Sequence, residues 1–184
     1  MSAGAKKRPR LVRFSQHFKI NRPQSELDFA DVLLDTDVLL FVDPYSFKIN
    51  DGDWYVECNN LVVDFFQQVL DAIRAGDAYR VRSLLFKLRE PNATHLGHSA
   101  GSPNGRGVGH VQADALYQRL RDSKAFQTGL LRDLTDCELL IHGISNDKIS
   151  DIATNVVNMK LIEFTQDQCR RWGISMSRVE SGPY

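Results

Sequence analysis

Cys58, Val62, Phe65, Phe66, Val69 and Ile73 recur at the 3.6-residue period of an α-helix, and Gly76 follows where a helix end calls for positive φ. An apolar stripe of that length has to be covered by other elements, so it sets the centre of whatever this chain folds into. Asn50-Asp-Gly-Asp53 supplies a turn and an N-cap ahead of it. Asp77 then caps a second helix with Val81, Leu84, Leu85 and Leu88 on one face. That helix stops before Glu90-Pro91, because the residue preceding proline avoids helical geometry. Farther along, Val111, Ala115, Leu116 and Leu120 mark a third helix, while Leu130 to Ile141, Asp147 to Val157 and Leu161 to Trp172 mark the next three.

Leu27 to Ile49 alone has β character: Asp31-Val-Leu-Leu, a turn at Asp35-Thr-Asp37, then Val38-Leu-Leu-Phe-Val42 stopped by Asp43-Pro44. The pattern predicts an α+β fold, predominantly α-helical, with about six helices and a short N-terminal β-hairpin laid against the central one. Residues 1–23 read as a basic flexible arm, poorly ordered unless it pairs with the hairpin, and 24–184 as a single mainly helical domain.

The formal net charge is zero, but the charge is segregated. Lys6, Lys7, Arg8, Arg10, Arg13, Lys19 and Arg22 precede the first acid, Glu26; Glu26 to Asp77 is −10 and the remainder +3. Lys6, Lys7, Arg8 and Arg10 are therefore candidate phosphate contacts, or else a solvated tail. No apolar run follows the basic residues as in a signal peptide and none is long enough to span a membrane, which predicts a cytoplasmic protein without membrane partners. Cys58, Cys137 and Cys169 are too widely spaced for a zinc motif and read as buried, reduced thiols.

Leu139 to Val157, LLIHGISNDKISDIATNVV, resembles a helix-hairpin-helix, a motif that binds nucleic-acid phosphates. In such a turn, main-chain N–H groups and the next helix's N-terminus hold phosphates without reading bases. Gly143 and Ile144 fit the turn, Ser145 stands where the second glycine is usual and can donate a hydrogen bond, and Lys148 falls in the first turn of the second helix. Asp147 and Asp151 would repel the same anion unless turned away. The structural alternative is an αα-hairpin in which Gly143 ends one helix and Ser145 or Asn146 caps the next.

Between Pro91 and His110 stand five glycines and two prolines. This long loop could cradle an anion with Arg106 as counter-charge, or serve as a mobile surface loop; it lacks the Gly-Lys-Ser/Thr of a Walker A loop. His95 and His98 have a spacing a metal could use, but no nearby Cys or carboxylate completes the set. His95, His98 and His110 therefore read as hydrogen-bonded loop residues, with no metal or other cofactor expected. Asp35, Asp37 and Asp43 could gather around Mg²⁺, though turn and cap duty explains them as well, and Glu163 lacks the downstream lysine of a nuclease core.

The segments RFSQHFKINRPQSELDF, LFVDP, REPNATHLGHSAGSPNGRGVG, GISNDKISDIATNVV and LIEFTQDQC together resemble the N-terminal part of a family of longer, uncharacterised bacterial proteins. The resemblance implies a bacterial cytosolic protein from defence-associated genes, of which this chain is an N-terminal part, and it carries over no catalytic residue. The expected function is a nucleic-acid-binding module without sequence specificity, contacting DNA or RNA backbone through the arm, Arg106 and the Gly143–Lys148 turn. One alternative is an interaction or regulatory domain meeting a partner protein or a missing C-terminal region through its acidic segment and last helices, around Leu161, Ile162, Phe164 and Trp172. A second is a metal-dependent nuclease fragment. No residue pattern decides whether the chain is an enzyme.

Overall fold

The computed structural model describes residues 11–88, 92–97 and 110–178. The chain divides into two compact units, Met1–Leu40 with Asn92–Asn104, and Phe41–Pro91 with Gly105–Tyr184.

The first unit holds a one-turn helix α1 (Phe14–His17) and short 3-10 turns at Gln24–Glu26 and Asn92–Thr94. Asp31 serves the start of α1: its carboxylate accepts from Ser15 N at 2.8 Å and from Ser15 Oγ at 2.7 Å. Phe14 packs on Phe18 and Phe29, with ring centroids 4.7 and 5.5 Å away.

The expected N-terminal hairpin does not form, and the α+β assignment gives way to a helical one. The described residues hold nine α-helices, no strand, and two isolated bridges, Arg13 with Leu33 and Val38 with Leu96. The two halves of the would-be hairpin are each paired elsewhere. Phe14 N donates to Val32 O at 2.9 Å and Leu34 N to Val12 O at 3.0 Å, whereas Val38 N donates to His95 O at 2.8 Å and Gly97 N to Val38 O at 3.0 Å. Asp35-Thr-Asp37 also lacks the glycine that tight hairpin turns favour at their left-handed positions. Asp43-Pro44, read as a strand stop, instead starts a helix. Asp43 Oδ1 accepts from Tyr45 N at 2.8 Å and Pro44 takes the first helical position, where its missing N–H costs nothing.

That helix, α2 (Pro44–Ile49), opens the second unit and leads into α3 (Asp53–Arg74), the long element that the apolar period predicts. Its N-cap is Gly52, without a side-chain cap, and Asp53 lies in the first turn, where its charge favours the helix dipole. Cys58, Val62, Phe66, Val69, Leu70 and Ile73 are buried along one face. At the far end Gly76 (φ 70) gives a double closure: its N–H reaches Ile73 O at 3.0 Å and that of Asp77 reaches Ala72 O at 2.9 Å. Asp77 then caps α4 (Ala78–Leu85) by accepting from Arg80 N at 2.8 Å.

Next come α5 (His110–Asp122), the one-turn α6 (Lys124–Gln127), α7 (Leu134–Leu140), α8 (Asn146–Val156) and α9 (Asn158–Arg171), the last two meeting at Val157. Helices α2, α4, α7 and α8 all pack on α3. Buried Ser150 on α8 is satisfied by Val42 N, which donates to its Oγ at 2.8 Å. Trp54 in the first turn of α3 holds α9, its ring centroid 5.8 Å from that of Phe164 and its Nε1 donating to Lys160 O at 3.4 Å.

Leu70 is fully buried in the C-terminal part of α3. Leu70→Ala removes its contacts and leaves a cavity, so a loss of about 2–5 kcal/mol is expected in urea unfolding. The thiols give a second prediction. All three cysteines are free and buried. Burial, opposed by Lys160 and reinforced by Glu57, pushes the Cys58 thiol from 9.0 up to about 11. Burial, with Asp136 and Asp133, pushes the Cys137 thiol up as well. Above about pH 9 the unfolded chain sheds a proton that folded Cys58 keeps, so stability should fall as pH rises from about 9 through about 11. Urea midpoints across that range should fall less steeply in Cys58→Ala than in the wild type.

Candidate functional site

The α7–α8 connection is a tight turn between two packed helices. Asp133 caps the start of α7, its side chain accepting from Thr135 N at 2.8 Å, and buried Cys137 and Ile141 anchor its inner face. Leu140 ends the helix, His142 is exposed, and Gly143 takes φ 83. Ile144 turns back against the core. Ser145 is the N-cap of α8: its Oγ accepts from Lys148 N at 3.3 Å and its carbonyl from Ile149 N at 3.1 Å. Accepting leaves the hydroxyl proton of Ser145 to donate. The fold therefore brings Gly143, Ile144, Ser145 and Lys148 together in one turn, built by the glycine-and-cap chemistry of an αα-hairpin.

Two electrostatic facts set what the turn can do. Lys148 Nζ pairs with Asp151 Oδ2 at 3.4 Å, with both side chains largely buried, so Asp151 is matched by a cation. Asp147 sits in the first turn of α8. The second fact lay beyond the reach of sequence spacing: Arg119, from α5, donates through Nη1 to the Gly143 carbonyl. A Cβ on Gly143 would lie 2.1 Å from that Nη1. The turn thus needs glycine for its φ, while the guanidinium seated against it is the end of a flexible, exposed side chain that a Cβ would displace. Arg119 stands 24 residues upstream of Gly143, and no local period links them.

The other expected site residues fall elsewhere. Lys6, Lys7, Arg8, Arg10, Arg106 and His98 lie outside the described residues. Asp43 is committed to the cap of α2. Glu163 shares Lys160 with Glu57, at 3.0 and 2.6 Å, in a network tying α9 to α3. Lys160 is correspondingly raised, by its hydrogen bond to Glu57 first and that to Glu163 second. Among the described residues no group of three or more His, Cys, Asp or Glu side chains could hold an ion, and no helix is long and apolar enough to cross a membrane.

The turn itself is testable without a ligand. Gly143→Ala places an L-residue in the left-handed region, at about 1–2 kcal/mol, and pushes Arg119 off its carbonyl. Arg119→Ala alone should cost under about 1 kcal/mol, as an exposed hydrogen bond does. If the two share one contact, the double variant should lose less stability than the two single losses added together, which a double-mutant cycle in urea measures.

The family described as a domain of unknown function, DUF8370, matches residues 19–184. No curated protein and no solved structure matches the chain.

Proposed function

We propose that this chain, which belongs to the DUF8370 family of domains of unknown function, is a nucleic-acid-binding module that holds the phosphate backbone without reading sequence. The observation that carries the reading is Arg119 at Gly143. The guanidinium is bonded there to a neutral carbonyl, so its charge is not cancelled by that bond, and a guanidinium has five N–H donors, of which the carbonyl takes one. Beside it lie the N-terminal turn of α8 and the Ser145 hydroxyl, groups that suit an anion. Lys148 lies in the same turn, but Asp151 already matches its charge, so it contributes less than Arg119. The basic residues Lys6, Lys7, Arg8 and Arg10, and Arg106 in the glycine-rich loop, extend the same chemistry along the chain. Resemblance to longer bacterial proteins supports a cytoplasmic setting and an association with defence genes.

An interaction domain is the second reading, and α7 favours it. Leu139 is 84% exposed and Leu140 41%, next to the turn. Leu161, Ile162, Phe164 and Trp172, the residues expected to form such a surface, are half-buried instead.

Fluorescence titration with labelled single- and double-stranded DNA and RNA at rising salt tests the proposal. Affinity should fall steeply with salt; Arg119→Ala should weaken binding evenly across sequences and flatten the salt slope by about one ion, and Lys148→Ala should weaken it evenly but less, because Asp151 already pairs with that lysine. Asp147→Asn removes a repelling charge and should tighten binding. Undetectable binding at low salt would sink the reading, while metal-dependent cleavage of the probe would favour the nuclease alternative.

A further inference from the structure

Within the second unit, α3 and the end of α4 border a groove of about 480 Å³, which Asn155 and Val156 from the end of α8 also line. Leu61, Phe65 and Gln68 recur there at i, i+4 and i+7 of α3, a second stripe beside the buried one. Phe65, Leu84 and Val156 pack against the core yet stay only half-buried, and Leu61 is 40% exposed. The rim is open, since Leu61, Asp64, Gln68 and Lys87 are all exposed. A small ligand needs most of its surface enclosed, so an open apolar groove suits the side chains of another protein surface.

The polar groups of the groove narrow down which surface. Gln68 Oε1 accepts from Arg80 Nη2 at 3.2 Å and Asn155 Nδ2 donates to Asp151 O at 2.8 Å, so both are engaged. Asp64 on α3 and Lys87, two residues past α4, form no ion pair among the described residues. A foreign partner would have to present a base and an acid in register to match them. A second copy of the chain carries both already.

We propose that this groove is a self-association surface. A two-fold axis sets Asp64 of each copy against Lys87 of the other, with Leu61, Phe65 and Leu84 of both copies meeting between the two ion pairs. The formal net charge of zero lets two copies approach without long-range repulsion. The groove supplies nine residues a side, against about 20–30 in an interface of standard size, so the dimer is weak and depends on concentration.

Sedimentation velocity of the full chain, from low to several hundred micromolar, should show a monomer passing reversibly into a dimer. Asp64→Lys and Lys87→Asp each set like charges against one another and should weaken the dimer by roughly tenfold or more. Mixed in equal amounts, the two variants should associate as the wild type does, because each supplies the charge the other lacks. Tyr79→Ala, at an exposed position of α4 outside the groove, should change nothing. A wild-type chain that stays monomeric throughout overturns the proposal whatever the variants do, and leaves a foreign amphipathic segment to cover the groove. A single charge variant that dimerises as the wild type does overturns it too, as does a mixture that associates no better than its components.

Discussion

Burial of one face of α3 is the interaction on which the second unit rests. Cys58, Val62, Phe66, Val69, Leu70 and Ile73 descend that face, and their neighbours come from four other helices, so no one neighbour suffices to cover it. Each fully buried aliphatic side chain contributes roughly 1.5–3 kcal/mol against the entropy of ordering the chain. The stripe also constrains the ends of the helix. Trp54 and Glu57 at its start reach α9, and Gly76 at its close turns the chain directly into the cap of α4. The α7–α8 turn depends on this arrangement at one remove, since both helices of the hairpin lean on α3 while Arg119 reaches the turn from α5.

What could be read from sequence was local. The period of α3, the reversal at Gly76, the cap at Asp77 and the capping role open to Ser145 are all written within one or two helical turns, where side-chain spacing and backbone geometry are directly coupled. Boundaries of α5, α8 and α9 come close for the same reason, whereas the helix expected from Leu130 starts only at Leu134, where Asp133 caps it, and the one-turn α6 leaves no such period. Ala115 was placed on the buried face of α5, yet it is exposed; Ala113, Leu116, Tyr117 and Leu120 form that face instead.

What could not be read was pairing between distant segments. Val32–Leu34 and Val38–Val42 have strand-like composition, and composition says nothing about which edge will satisfy them. One is taken by residues 12–14, while Val38 pairs with the 95–97 segment, and neither reaches strand length. Asp43-Pro44 is ambiguous by its chemistry, because the same dipeptide ends a strand or starts a helix. Packing settles it here, as Pro44 and Phe47 are buried on α2. Arg119 at Gly143 and Asp37 beside Gly97 belong to the same class. Both bring a charged side chain to a loop backbone from far along the chain, where no local period links the two residues.

The zero net charge conceals how the cations of the second unit are used. Arg82 is matched by Asp114 at 2.5 Å, Arg121 by Asp122 at 2.7 Å, Arg74 by Asp71 at 2.7 Å and Lys160 by two glutamates. Exposed pairs of this kind add about 0–1 kcal/mol each, so their main effect is to remove charge from the surface rather than to hold the fold. Arg119 differs in its partner. A carbonyl fixes the position of a guanidinium while leaving its full positive charge, which is the combination an anion site needs: geometry without neutralisation. An acid in the place of that carbonyl would anchor Arg119 more tightly and cancel its field, so the neutral partner is the one that leaves the turn its positive charge.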